Sequence, residues 1–139
     1  MQDFLIFIQN HTWLTTGLIA VLFLLAIVEW LRANVSVKQI SPSVAVQMMN
    51  HQKAVVVDLR SAESFAAGHI VGAISVPHSE WAQKKQKLDK IKTQPLILVS
   101  ANGAESTRIA NVLKKENRSV FILMGGMRTW QETDMPLVK

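Results

Sequence analysis

The feature that most constrains this chain is a long uncharged stretch near its amino terminus. No Asp, Glu, Lys or Arg occurs between Phe4 and Val28, and within residues 13–28 only two threonines and one glycine interrupt the apolar side chains. A helix that crosses a bilayer core of about 30 Å needs roughly 20 such residues. The sequence therefore predicts one transmembrane helix, within an amino-terminal segment of residues 1–34 that serves as membrane anchor and tether.

The residues that flank this stretch predict its interfaces and its orientation. Trp13 and Trp30 would lie about 25 Å apart in a helix that rises about 1.5 Å per residue, as expected for aromatic residues at two membrane interfaces. No Lys or Arg precedes the stretch, whereas Arg32 and Lys38 follow it. The positive-inside rule then predicts that the carboxyl-terminal part of the chain is cytoplasmic.

Two alternatives to a membrane anchor remain open at this point. A cleaved signal peptide would carry Lys or Arg before a shorter apolar core, and small residues at a cleavage site after it. Here Asp3 precedes the apolar stretch, and the following residues, EWLRANVS, lack a small-x-small site. A buried helix of a soluble protein is the second alternative. Length and flanking charges favour the anchor over both.

Charge divides the chain unevenly. Residues 1–31 contain two acidic residues and no Lys or Arg, so the remainder, with 15 basic and 8 acidic residues, carries a net charge of +7. A basic domain beside a membrane is attracted to anionic lipid head groups.

Nucleic-acid binding is not predicted, because no arginine-rich run with interleaved aromatic residues occurs. Five lysines form a run, which is either a solvated surface or a contact site for anionic lipid or an acidic partner. The run consists of Lys84, Lys85, Lys87, Lys90 and Lys92.

Beyond residue 40, strand-like and helix-like segments alternate. Apolar runs predict strands at residues 54–58, 73–76, 95–100 and 119–126. Helical segments are predicted at residues 41–50, 61–65, 79–92, 105–117 and 127–132, the first of them capped by Ser41 with Pro42 at its first position. This alternation predicts an α/β domain over residues 35–139, with a central parallel sheet flanked by helices. Functional loops in such sheets follow the carboxyl ends of the strands, where residues 100–106 lie.

Three stretches of this domain resemble the motifs of rhodanese-like domains. VVVDLRSAESFAAGHIVGAISVP is similar to the first family signature, LMGGMRTWQETDMPL to the closing signature, and LILVSANGAESTRIANVL to the strand, active-site loop and helix between them. The similarity covers roughly residues 37–138. With its amino-terminal helix, the whole chain resembles small membrane-anchored rhodanese-like proteins of bacteria, which implies an inner-membrane location. The family resemblance also implies sulfur transfer through a loop cysteine that carries a persulfide.

The active-site loop departs from the family pattern. Typical single-domain members read Cys-Arg-Ser-Gly-x-Arg-Ser, whereas this chain has no cysteine anywhere. A serine hydroxyl forms no persulfide and is a weak nucleophile without an adjacent base. Where the pattern has an arginine to bind an anionic sulfur donor, a glutamate would repel it. The corresponding residues are Ser100, Ala101, Asn102, Gly103, Ala104, Glu105 and Ser106.

These losses predict a membrane-anchored, catalytically inactive module that binds a protein partner, without a cofactor or a metal. Two other functions stay open: residual sulfurtransferase or hydrolase chemistry through Ser100, and binding of anionic lipid through the lysine run. The loop, which leads into a helix, forms a cradle of backbone N–H groups that favours an anion. We expect the carboxylate of Glu105 to neutralise this cradle from within the chain.

Six further residues of the motifs are predicted to be structural. The resemblance implies that Asp58 and Arg60 pair with each other and that His69 is a hydrogen-bonded scaffold residue. The two consecutive glycines of the closing signature suit a tight turn, and its tryptophan suits a packed core. These last three residues are Gly125, Gly126 and Trp130.

Overall fold

The computed structural model describes residues 12–35 and 37–139, and side chains over 12–31 and 37–139. The chain divides into two compact units, residues 1–36 and 37–139. Arg32, predicted to flank the membrane, has a side chain outside the described residues.

The described residues of the first unit form one long helix, α1 (Thr12–Val35). Its segment Thr12–Leu31 is long and apolar enough to cross a membrane, and none of that segment is buried within the structure. The hydroxyls of Thr15 and Thr16 donate to the carbonyl oxygen of Thr12 at 2.9 and 2.7 Å. The helix thus satisfies these polar groups internally, as a lipid environment requires. Trp13 and Trp30 are 75% and 65% exposed.

The second unit is built on one parallel sheet of five strands, in the order β1-β5-β4-β2-β3. The predicted α/β class and the parallel direction of the sheet are therefore confirmed. The strands are β1 (Gln39–Ile40), β2 (Val55–Asp58), β3 (Ile74–Ser75), β4 (Leu96–Val99) and β5 (Val120–Leu123).

The edge strand β1 is not among the predicted strands, the first of which begins at residue 54. Gln39 and Ile40 pair with Ile122 and Leu123 of β5. A strand of two residues is too short to show a hydrophobic period. Only its pairing with β5, a contact distant in sequence, makes it a strand.

Helices cover both faces of the sheet. Ser41 caps α2 by accepting a hydrogen bond from the Val44 N–H at 3.5 Å, with Pro42 in the first turn as predicted. The helices are α2 (Pro42–Gln52), α3 (Ala62–Ala67), α4 (Trp81–Lys84), α5 (Ala104–Lys115) and α6 (Gly126–Glu132).

The single lysine-rich helix predicted over residues 79–92 is wrong. The chain there forms α4 between two 3-10 segments, His78–Glu80 and Lys85–Ile91. The second segment is held by its fully buried Leu88 and by Arg118, which donates to the carbonyl oxygens of Leu88 and Ile91 at 3.1 and 3.0 Å. Tertiary contacts thus provide hydrogen bonds that the sequence pattern assigned to a continuous helix.

Alternate strand residues supply two apolar cores, one on each face of the sheet. Val57 and Leu98 belong to the core that Ile109 and Leu113 of α5 complete. Val56 and Ile97 belong to the opposite core, with Met48 of α2 and Met127 and Trp130 of α6. All four residues of β4 are fully buried. Burial on both faces explains why β4 is a continuous apolar run rather than an alternating one.

Candidate functional site

The loop between β4 and α5 lies at the carboxyl edge of the sheet and encloses its own first residue. Ser100 and Ser106 are both fully buried. The Ser100 Oγ accepts hydrogen bonds from the Gly103 N–H at 2.9 Å and from the Ser106 hydroxyl at 3.1 Å. The side chain that replaces the family's nucleophile is therefore an acceptor inside the loop.

This arrangement offers no activation for a serine nucleophile. Neither hydrogen-bond partner of Ser100, the Gly103 amide or the Ser106 hydroxyl, is a base. Attack by a serine hydroxyl requires a base that takes its proton, and that base must lie within hydrogen-bond reach. The geometry therefore supports a structural role for Ser100.

Two N–H groups at the start of α5 are hydrogen-bonded by neutral side chains, not by Glu105. The Asn102 Oδ1 accepts a hydrogen bond from the Ala104 N–H at 3.2 Å, while Ser100 takes the Gly103 N–H. Glu105 lies in the first turn, where its exposed side chain makes no hydrogen bond with another described residue. Side chains just ahead of a helix reach its free N–H groups more readily than side chains within its first turn.

A glycine turn holds the loop from the other side. Gly125 and Gly126 precede and begin α6 with φ angles of 70° and 60°, and a Cβ added at Gly126 would lie 2.2 Å from the carbonyl oxygen of Ser100. The N–H groups of Met127 and Arg128 donate to the carbonyl oxygens of Ser100 and Ala101 at 2.9 and 3.2 Å. Only glycine allows the two backbones to approach this closely.

Asp58 and Arg60 form a bidentate ion pair after β2. The Arg60 Nη2 donates to the Asp58 Oδ2 at 2.7 Å and to the Gly68 carbonyl oxygen at 2.8 Å, and the Arg60 Nε lies 3.0 Å from the Asp58 Oδ1. Asp58 is 2% exposed and the side chain of Arg60 11%. The charge of Arg60 is thus largely compensated within the fold.

His69 and Trp130 both lie in structural surroundings. The His69 ring stacks on Phe65 at 3.8 Å between centroids, and its Nδ1 lies 3.0 Å from the Phe65 carbonyl oxygen. Its backbone forms an antiparallel bridge with Val138. The Trp130 Nε1 donates to the Pro136 carbonyl oxygen at 3.2 Å, and its ring is 2% exposed. These contacts tie the carboxyl terminus to the rest of the domain.

A cleft of about 300 Å³ opens beside the loop. The loop contributes Ala101 and Glu105, and the segments after β2 and β3 contribute the opposite wall. Sequence reasoning missed that wall, although the shared carboxyl edge of parallel strands was a usable signal for it. The lining residues are Leu59, Arg60, Ser61, Ser64, Pro77, His78, Ser79, Ala101 and Glu105.

The predicted lysine run lies apart from this lining. Three of its five members form ion pairs, and the other two, Lys87 and Lys90, pair with no other described residue. The pairs are Lys84 with Glu80, Lys85 with Glu116, and Lys92 with Asp89, the last at 3.5 Å between Nζ and Oδ1.

The sequence profile of the rhodanese-like domain matches residues 41–133, which include the loop, the Asp58–Arg60 pair and the glycine turn. The chain belongs to the rhodanese-like family. Unlike the pattern that the family resemblance implies, this rhodanese-like domain has no catalytic cysteine, because the chain contains none.

Individual relatives cover different shares of the chain. The uncharacterized protein YibN of Escherichia coli (strain K12) is 34% identical over 141 residues, covering 100% of this chain and 99% of YibN. The thiosulfate sulfurtransferase GlpE of Haemophilus influenzae (strain 86-028NP) is 30% identical over 103 residues, covering 73% and 95%. The crystal structure of a rhodanese-related protein from Thermoplasma volcanium superposes with a TM-score of 0.66 at 22% identity, covering 73% and 97%. This last likeness concerns the fold.

Replacing Gly126 with alanine should destabilise the domain far more than replacing Gly72. Both have positive φ, which costs a non-glycine residue about 1–2 kcal/mol, but a Cβ at Gly72 meets nothing within 4 Å. We expect Gly126→Ala to cost about 3 kcal/mol or more, since backbone strain adds to the collision with Ser100. Thermal unfolding of the full chain in detergent measures this. Equal melting temperatures for the two variants would contradict the role of Gly126.

Replacing Ser100 with alanine should also destabilise the domain. The variant leaves the buried Ser106 hydroxyl and the partly buried Gly103 N–H without their acceptor, at a cost of about 1–3 kcal/mol. Glu105→Gln loses an exposed charge in the first helical turn, which is worth below about 1 kcal/mol. In the same unfolding experiment, a larger fall in melting temperature for Glu105→Gln than for Ser100→Ala would show that the Glu105 carboxylate contributes more to the stability of the loop than the Ser100 hydroxyl does.

Proposed function

We propose that this chain is a membrane-anchored, catalytically inactive rhodanese-like protein. In this proposal α1 crosses the inner membrane, the domain lies in the cytoplasm, and the cleft beside the 100–106 loop binds a protein partner. The observation that carries the proposal is the enclosed Ser100, whose hydroxyl accepts two hydrogen bonds from its own loop in a chain without cysteine.

The absence of a thiol supports the loss of sulfur transfer. A thiolate is the nucleophile that accepts a sulfur atom, and a serine hydroxyl is not acidic enough to replace it near neutral pH. The relative from Haemophilus influenzae is named a thiosulfate sulfurtransferase. This chain keeps the fold and the loop length of such a domain but presents Ser100 where the family has its cysteine.

The open cleft supports a binding role and indicates the charge of its ligand. Arg60 is already paired with Asp58, so its guanidinium adds little free charge to the lining. Glu105 is exposed at the same cleft and makes no ion pair with another described residue. We therefore expect the bound segment of the partner to present a Lys or Arg side chain to Glu105.

The amino-terminal helix supports membrane anchoring. None of its apolar segment is buried among the described residues, and its length suits a single span. The basic residues Arg32 and Lys38 follow this segment in the sequence. By the positive-inside rule they favour the cytoplasmic side for the domain.

The loss of catalysis is tested by thiosulfate:cyanide sulfur transfer in the full chain. We expect no thiocyanate from the natural sequence and little from Ser100→Cys, since Glu105 still repels the anionic donor. Ser100→Cys combined with Glu105→Arg should exceed the single variant by about tenfold or more, as one charge-assisted contact of about 1.5–3 kcal/mol is gained. Turnover by the natural chain that Ser100→Ala abolishes would overturn the proposal.

Partner binding at the cleft is tested by site-specific photocrosslinking in bacterial cells. A photoreactive phenylalanine analogue in place of Ser79, which lines the cleft, should form a defined adduct. Glu105→Arg should abolish it by charge reversal, whereas Glu132→Arg should not, because Glu132 pairs with Arg128 away from the cleft lining. An adduct that survives Glu105→Arg, or the lack of any adduct, would contradict binding at this cleft.

A further inference from the structure

Parallel strand direction collects the basic residues of the domain at one edge. The residues that lead into each strand all lie at its amino end, so they share the edge opposite the cleft. Backbone hydrogen bonds join these segments: the Val55 N–H donates to Pro95, the Leu96 N–H to Ser119, and the Ile122 N–H to Lys38, at 2.9–3.1 Å. We call the basic edge the set Lys38, Lys53, Lys85, Lys87, Lys90, Lys92, Lys114, Lys115 and Arg118.

The basic edge accounts for the whole net charge of the domain. Residues 37–139 contain 14 Lys or Arg and 8 Asp or Glu. Nine of these basic residues and two acidic ones, Asp89 and Glu116, lie at this edge, which gives it +7. The remaining five basic and six acidic residues give the rest of the domain a net charge of −1.

Most of this charge faces solvent. Lys38, Lys53, Lys90 and Lys115 are exposed and form no ion pair with another described residue. Lys85 and Lys92 are paired with Glu116 and Asp89. Two acidic groups therefore leave most of the positive charge of the edge uncompensated.

The chain enters the domain at this same edge. The apolar segment of α1 ends at Leu31, and β1 follows Val37 and Lys38. The five residues 32–36 reach at most about 18 Å even when fully extended. If α1 spans a bilayer, the amino end of β1 is therefore held close to the lipid surface.

We propose that the basic edge binds the anionic lipid head groups of the membrane in which α1 is anchored. This inference rests on the membrane anchoring of the proposed function, but not on its protein partner. Electrostatic attraction of lysines to an anionic surface acts within a Debye length, which is about 8 Å at physiological ionic strength. Contact at this edge turns the opposite edge, with Glu105 and the cleft, away from the lipid and toward the cytoplasm.

The structure also changes which lysines are expected to contact anionic lipid. Lys84 pairs with Glu80, so it adds little free charge. Lys38, Lys53 and Lys115 belong to the basic edge, although they lie far from the lysine run in the sequence.

The test measures the distance from each edge to lipid in the reconstituted full chain. Because the chain has no cysteine, a single fluorophore can be attached at Thr93→Cys, near the basic edge, or at Ala66→Cys in α3, beyond the carboxyl end of β2. Energy transfer to labelled lipid is compared between vesicles of phosphatidylcholine and vesicles with roughly 30% phosphatidylglycerol, an anionic lipid. Thr93 is exposed and so is Ala66.

We expect energy transfer from position 93 to rise about twofold with the anionic lipid, and transfer from position 66 to stay constant or fall. Salt at about 0.5 M should remove the rise, since it shortens the Debye length to about 4 Å. Changing Lys38, Lys53, Lys90 and Lys115 to Gln should also remove it. The matched control changes Lys84, Arg108, Arg128 and Lys139 to Gln, which removes the same formal charge outside the basic edge and should preserve the rise.

Three results would overturn the inference. Energy transfer from position 93 that does not change with phosphatidylglycerol would exclude lipid as the partner of the basic edge and favour an acidic protein. An equal loss in both quadruple variants would show a general charge effect. Release of the chain from vesicles at alkaline pH would overturn the membrane anchor and the lipid contact together, whereas retention without a change in transfer overturns the lipid contact alone.

Discussion

Burial of β4 on both faces of the sheet is the constraint on which the rest of the domain depends. Each of its four residues has no exposed surface, and it lies between β5 and β2 with an apolar core on either side. A strand in this position fixes the start of the following loop in space. Ser100, the next residue, is therefore held at the base of the 100–106 loop, whatever its chemistry.

Backbone contacts help to hold the loop in a chain that has no cysteine. The carbonyl oxygens of Ser100 and Ala101 accept from α6, and the close approach of Gly126 leaves room for nothing larger than hydrogen. Ser100 and Asn102 occupy N–H groups that would otherwise favour an anion. The scaffold of the loop thus forms in a chain without cysteine.

Much of the fold followed from the sequence, and the misses share one cause. Long apolar runs such as β4, and the Ser41–Pro42 helix start, carry local signals that the structure confirms. The two-residue β1 and the 3-10 segment Lys85–Ile91 carry no such local signal. Their conformations depend on pairing with β5 and on hydrogen bonds from Arg118. The same holds at the candidate site, where the side chains of Ser100 and Asn102 accept the N–H groups of Gly103 and Ala104.

The sequence by itself determined that no sulfur nucleophile exists, that one apolar segment is long enough to span a membrane, and that the remainder is basic. These are properties of composition and local order. Tertiary structure decided that Ser100 is enclosed, that Arg60 is compensated, and that lysines from Lys38 to Lys115 share one edge. Strand direction and pairing bring together residues tens of positions apart, and no local pattern encodes which of them will meet.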